Sequence, residues 1–214
     1  LPKKIRSNLK NISNKFNQNY PIGRRMTKLF SGAHLDENER IVNYFNWIQR
    51  DDLKKLYSTE FSNQIKNLNP NLTMLNFLDG LPPNRSKLDR MLALEQKFFL
   101  TDHNLLYTDR MSMAAGIEVR IPFLDKNLVE FAYNIPDKYK QNGSQGKWVL
   151  KKSLEGHLPQ DVIYRAKTGF GAPLRRWMRN DLRELLGDIL SFDSLKNRGL
   201  FDPTNVLKLI SDND

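Results

Sequence analysis

The chain has 214 residues, 39 per cent of them apolar, enough for a folded domain with a buried core. Its 34 Lys and Arg outnumber 24 Asp and Glu by ten, short of the imbalance that keeps a basic chain unfolded. With no cysteine it has no disulfide, no thiolate metal ligand and no cysteine nucleophile, and it contains no apolar run long enough to span a membrane. It begins at Leu1 rather than Met, so a fragment or a processed piece is expected, and the first 30 residues lack the apolar block of a signal peptide.

The charge is placed unevenly. Residues 1–30 carry eight basic side chains and no acidic one, while the remainder is nearly balanced. This segment is read as a basic linker and helix over residues 1–35. An arm that meets phosphate is the competing reading, and with Phe16 and Tyr20 beside those lysines forming no stacking pattern, nucleic-acid binding is the weaker of the two.

From residue 36 the pattern is helical. The acidic turn Asp36 to Glu39 opens an amphipathic helix through Ile41, Val42, Tyr44, Phe45 and Ile48, because carboxylates favour a helix N-terminus. Another helix starts at Asp51 to Leu56. The Leu78 to Pro83 stretch breaks the pattern, and Leu88, Met91, Leu92, Leu94 and Phe98 then predict a long helix over about Lys87 to Leu100. Leu128, Phe131, Ala132 and Ile135 predict a short helix ending before Pro136, and Trp148, Leu150 and Leu154 another, stopped at Leu158-Pro159. Leu174, Trp177, Met178, Leu182, Leu185, Leu186 and Ile189 form one stripe, expected to pack into a core. No period-two alternation and no repeat is present, so the expected class is mainly α, with a helical domain over residues 36–214.

Several short motifs fail on inspection. Ser7 to Lys10, Lys167 to Gly169 and Ser211 to Asn213 match three signatures of penicillin-recognising acylases, but in the wrong order. Gly143 to Lys147 is too short for a phosphate loop. His34, His103 and His157 lack the spacing of a helical metal pair, so no metal ligands are assigned.

Two strings carry chemistry. In residues 102–125 the charges of Asp109, Arg110, Glu118 and Arg120 are threaded through small and apolar residues whose composition predicts burial. Ions in such surroundings either pair or line a polar cleft. Downstream, Tyr164 to Pro173 places Lys167 in a loop with Gly169 and Gly171, where backbone can approach an anion and the ammonium supplies charge.

Together these strings resemble the C-terminal part of the synthetase domain of the glutamine-hydrolysing asparagine synthetase family. Asp109-Arg110-Met111-Ser112-Met113, the Glu118-Val119-Arg120-Ile121-Pro122-Phe123-Leu124-Asp125 block, Leu158-Pro159, the Arg165-x-Lys167-x-Gly169-Phe170 loop, Pro173 and Trp177 follow in that family's order. The resemblance covers about Lys87 to Leu190, and more loosely the region upstream. It implies the helical C-terminal half of an α/β synthetase domain of ATP-pyrophosphatase type, adenine nucleotide alpha hydrolase-like, in a cytoplasmic protein. It implies adenylation of the aspartate side chain with ATP and Mg2+, then attack by ammonia released from glutamine. Lys167 would be catalytic and, with Gly169, contact the phosphates; Asp102 would be the second catalytic residue, a carboxylate near the cleft that orients that lysine or the incoming amine. Asp109, Arg110, Glu118, Arg120 and Asp125 would be structural ion pairs or site-lining groups.

The chain lacks that family's Ser-Gly-Gly-x-Asp-Ser loop and its glutaminase cysteine. The expected partners are therefore the N-terminal glutaminase and nucleotide-binding regions, with aspartate, glutamine and ATP as substrates and a homodimer as an open oligomeric option. By itself the fragment is expected to be inactive. Two alternatives stay open: a related amidotransferase acting on another carboxylate, and a non-enzymatic helical module with a nucleic-acid-binding arm.

Overall fold

The computed structural model describes residues 20–166 and 172–212. The chain divides into two compact units, one formed by residues 1–45 and 71–166, the other by residues 46–70 and 167–214. Most of the basic segment over residues 1–35 lies outside the described residues; its described end contains helix α1 (Pro21–Ser31), with proline in the first turn where no amide donor is needed.

The first unit is organised by helix α2 (Glu37–Asn43). Asp36 caps its N-terminus, Glu39 reaches back to the Asp36 amide at 3.1 Å, and the acidic turn meets the positive end of the helix dipole. The helix stops at Asn43, shorter than its apolar pattern predicted, and Ile48 is exposed. The core forms where Ile41 and Val42 of α2 meet Leu78 of α5 (Leu72–Asp79) and Leu94 of α6 (Lys87–Leu94), with Phe45, Met74, Phe77, Met91 and Phe98 around them. Val42, Leu78 and Leu94 are fully buried, each worth about 1.5–3 kcal/mol of transfer free energy. Ser86 caps α6 by accepting from the Asp89 amide at 3.0 Å.

The predicted helix beyond Lys87 is longer than its pattern. After α6 the backbone continues as a π-helical segment (Glu95–Leu105) and then as α7 (Leu106–Ala114). The Thr101 hydroxyl donates to the carbonyls of Gln96 at 2.8 Å and Lys97 at 3.0 Å, five and four residues back, which suits the widened turn. Phe99 and His103 stack with ring centroids 4.8 Å apart, and Tyr107 meets His103 edge-on at 5.5 Å. Gly116 ends α7 with φ 68°, its amide bonded to Met113 and that of Ile117 to Ser112.

A 3-10 turn at Pro122–Leu124 leads to α8 (Lys126–Asn134), which is capped by Asp125 and ends before Pro136 as predicted, and the short α9 (Asp137–Lys140) follows that proline. The absence of predicted strands is corrected by a small hairpin. Strands β1 (Gln141–Asn142) and β2 (Gln145–Gly146) pair antiparallel around Gly143, which has φ 58°. Too few residues are involved for alternation to be visible, and the tight turn rather than a strand pattern defines the element. Helices α10 (Trp148–Ser153) and α11 (Gln160–Ile163) complete the unit.

The second unit joins helices α3 (Arg50–Lys54) and α4 (Thr59–Ile65) to the C-terminal helices. Tyr57 forms an antiparallel bridge with Phe201, and their rings stack at 5.6 Å. The Ser58 hydroxyl accepts from the Phe61 amide at 3.1 Å and donates to the Gly199 carbonyl at 2.7 Å, tying a helix cap to a residue 141 positions away. Gly199, with φ 68°, closes α14 (Phe192–Arg198), and Asp202 caps α15 (Pro203–Ser211).

The predicted stripe from Leu174 to Ile189 is corrected in two respects. It forms two helices, α12 (Leu174–Arg179) and α13 (Arg183–Ile189), and Leu174, Trp177, Met178, Leu185 and Ile189 are exposed. Asn180 and Asp181 have low helix propensity and interrupt the pattern. Leu195 and Val206, outside the stripe, are the buried apolar residues of this unit among those described.

Candidate functional site

The described residues singled out by sequence fall on four parts of the first unit. Asp102 is exposed on the π-helical segment, and Asp109 and Arg110 are exposed on α7. Glu118 and Arg120 form an ion pair in the extended stretch that follows, with both side chains largely exposed. Asp125 accepts from the Leu128 amide at 3.0 Å and so serves as the α8 cap.

The expected burial of this stretch is corrected by the structure. Met111 is 70 per cent exposed and Phe123 64 per cent, with Met113, Ile117, Val119 and Ile121 also exposed. Composition indicates that such side chains favour an apolar environment, but burial requires a covering element, and the described residues of the unit supply none here. Lys167 and Gly169 lie outside the described residues.

The stem leading to Lys167 is described. Ile163 is buried at the end of α11, and the next residue, Tyr164, donates its phenolic hydrogen to the Glu155 carboxylate. Lys152 donates to both oxygens of that carboxylate, at 2.9 and 3.2 Å, and the Lys151 ammonium lies 5.5 Å from the Tyr164 ring centroid. The hydrogen bond from Tyr164, then that from Lys152, holds the Glu155 carboxyl below its ordinary range. The same carboxylate raises the Tyr164 phenol and the Lys152 ammonium above theirs, because their protonated forms make the bonds.

Sequence reasoning missed a polar lattice that positions these elements. Arg90 of α6 donates to Asn38 Oδ1 at 2.7 Å and to the Leu78 carbonyl at 3.0 Å, placing a cation at the C-terminal end of α5. Asn38 in turn donates to Asp79 at 2.7 Å. One residue before Arg90, Asp89 accepts from Lys140 Nζ at 2.6 Å, and Arg85 approaches it at 3.6 Å while lying 4.0 Å above the Tyr133 ring. Asp36, Glu37, Glu39, Asp79, Arg85 and Arg90 border a cleft of about 570 Å³. The spacing of Arg85 and Asp89 was visible as a helical i, i+4 pair; Lys140 had no local signal, because its partner is 51 residues away.

Among the described residues no group of three His, Asp or Glu could hold a metal ion, and no helix is long and apolar enough to cross a membrane.

Comparison with known proteins places this arrangement. The asparagine synthase family model matches residues 5–214. The chain belongs to the asparagine synthase family. It is 32 per cent identical over 142 residues to asparagine synthetase [glutamine-hydrolyzing] 1 of Bacillus subtilis, a match covering 64 per cent of this chain and 22 per cent of the relative. It is 45 per cent identical over 82 residues to asparagine synthetase [glutamine-hydrolyzing] 3 of the same organism, covering 38 and 13 per cent. A probable asparagine synthetase [glutamine-hydrolyzing] of Acanthamoeba polyphaga mimivirus is 26 per cent identical over 156 residues, covering 70 and 26 per cent. The chain thus spans about a quarter or less of each of these relatives. No solved structure matches.

Proposed function

We propose that this chain is the helical part of a glutamine-hydrolysing asparagine synthetase, contributing Lys167 to the site where aspartate is activated. The observation that carries the reading is the family match over residues 5–214 combined with the position of Lys167 in a glycine-bearing loop that follows a pinned stem. The names of the relatives support aspartate, glutamine and ATP as substrates of the complete protein.

In this reading an oxygen of the aspartate side-chain carboxylate attacks the α-phosphorus of ATP. The bond to the leaving pyrophosphate breaks, and a β-aspartyl-adenylate forms. Ammonia from glutamine then adds to the activated carbonyl carbon, and AMP departs as asparagine is made. Negative charge develops on the phosphate oxygens in the first step, and a fixed ammonium at Lys167 lowers the energy of that charge more than it lowers the ground state. Gly169 lets the loop backbone come close to the phosphates. Asp102 is assigned to orienting the incoming amine or Lys167.

ATP enters as a substrate together with its Mg2+. The described carboxylates are dispersed or already committed as caps and ion pairs, so they fit no site for that ion and no step is assigned to them through it. The nucleotide-binding and glutaminase regions are assigned to the longer protein, which we place in the cytoplasm.

The reading is tested by ATP-pyrophosphate exchange in the complete protein. Lys167→Ala is expected to lower the exchange rate by about two orders of magnitude, the usual effect of removing one preorganised charge donor, with an unchanged melting temperature. Wild-type exchange in that variant would remove Lys167 from the mechanism.

A further inference from the structure

The extended stretch between Gly116 and Pro122 takes no part in the reaction outlined above. Gly116, with φ 68°, ends α7 on one side and Pro122 opens the 3-10 turn on the other, so Ile117 to Ile121 run between two fixed turns. Ile121 has φ −112° and ψ 100°, an extended conformation. Along this run β-branched and charged residues alternate, which corrects the expectation that the chain holds no period-two pattern. The run is too short to stand out in a sequence patterned for helices. Glu118 and Arg120 pair with each other on one face, which leaves Ile117, Val119 and Ile121, all exposed, to the opposite face. No described residue hydrogen-bonds the backbone amide or carbonyl of Glu118, Val119 or Arg120. The run therefore has the pattern and the open backbone of a sheet edge strand that lacks a neighbour.

The order of its residues specifies what fits this edge. Ile-Glu-Val-Arg-Ile is a palindrome in chemistry: read backwards, apolar residues fall on apolar ones and Glu118 exchanges with Arg120. Laid antiparallel on a second copy with Val119 at the two-fold axis, Ile117 faces Ile121 and Glu118 faces Arg120 on both sides of the axis. The edge that carries the amides and carbonyls of Glu118 and Arg120 is fully open, so it supplies both hydrogen bonds of each Glu118–Arg120 pair.

We propose that residues 117–121 are the interface of a symmetric homodimer, in which this strand pairs antiparallel with the same strand of a second copy about Val119. The proposal does not depend on any role for Lys167. A two-stranded ribbon is marginal by itself, and Met113 and Phe123, exposed to either side of the run, extend its apolar surface. The pairing is accordingly weak, with a dissociation constant of about 50 µM, and the chain is monomeric at the low concentrations of unfolding measurements.

The test uses the whole chain and follows its association by sedimentation velocity over a concentration series. Glu118→Arg and Arg120→Glu each set like charges opposite one another across the axis, and each is expected to raise the dissociation constant at least about tenfold. Mixed in equal amounts, the two variants regain opposite charges at both positions, and their heterodimer is expected to bind as tightly as wild type. The repulsion within each chain persists in the mixture, so recovery there reports a contact between chains rather than a local structural effect. Should either single variant unfold, the double exchange Glu118→Arg with Arg120→Glu keeps the complementarity and is expected to dimerise like wild type. A wild-type chain still monomeric at about 500 µM would overturn the proposal. So would dimerisation that charge reversal leaves unchanged, or a mixture that binds no better than its components, since either outcome moves the contact away from this strand.

Discussion

Lys140 donates to Asp89 at 2.6 Å although the two residues stand 51 positions apart, and both side chains are largely withdrawn from water. Lys140 also donates to the Tyr133 carbonyl at 3.1 Å, so one ammonium ties α6 to the end of α8 and to α9. Removing Lys140 leaves the Asp89 carboxylate withdrawn from water with only the more distant Arg85 at 3.6 Å, the costly way to break such a pair. Lys140→Met is expected to destabilise the fold by about 2–4 kcal/mol. Urea unfolding followed by circular dichroism checks this, and a midpoint equal to wild type would show that the pair is dispensable.

Glu118 and Arg120 form the opposite case, an ion pair whose side chains are 69 and 85 per cent exposed. Water screens such a pair, and its net contribution is under about 1 kcal/mol. Arg120→Ala should leave the unfolding midpoint of this chain within error. If the same substitution in the complete protein lowers ATP-pyrophosphate exchange, the arginine serves the site rather than the fold.

Lys147 precedes α10 with φ 56°, the one described non-glycine residue in the left-handed region. A side chain there costs roughly 1 kcal/mol through its Cβ, and glycine avoids that contact. Lys147→Gly is expected to stabilise the chain by about 0.5–1 kcal/mol, less the extra backbone entropy of glycine in the unfolded state. Thermal melting measures the sign; a lowered melting temperature would mean that the lysine makes a favourable contact outweighing its strain.

Ser58 performs two tasks, capping α4 and donating to the Gly199 carbonyl. Ser58→Ala should cost about 1–2 kcal/mol, near the upper end for a cap. Hydrogen exchange should locate the loss in residues 46–70 and around Gly199, with the first unit unchanged. Equal protection across both regions would show that the bridge adds nothing to the second unit.

The Glu155 cluster also predicts a pH dependence. Glu155 has a lowered folded-state pKa, so its contribution to stability is complete above its ordinary range and is lost as pH falls through the folded value. Tyr164 and Lys152 have raised folded-state values, so their contributions are complete below their ordinary ranges and are lost as pH rises through the folded values. Glu155→Gln should flatten both ends of the stability profile. Chemical denaturation at a series of pH values checks it, and acid and alkaline limbs identical to wild type would exclude the cluster as their source.

Local chemistry was legible in the sequence wherever neighbours along the chain decide the outcome. The Asp36 to Glu39 turn and the stop before Pro136 depend on caps, prolines and helical spacing and appear where those rules place them, whereas the break expected at Leu78 to Pro83 opens only at Gly80 and the helix from Trp148 ends at Ser153, ahead of Leu158-Pro159. The motif from Asp109 to Asp125 and the Lys167 loop identified the family, because residue types in a fixed order survive without their three-dimensional context. Tertiary structure decided the rest. Apolar segments took opposite fates: Leu78 and Leu94 found partners from other helices and are buried, whereas Met111, Phe123 and Trp177 are left exposed by the described residues of their units. Hydropathy records what a side chain would gain by burial, and only the packing of distant segments determines whether a surface exists to bury it. The same holds for charge, since nothing near Lys140 in the sequence marks Asp89 as its partner.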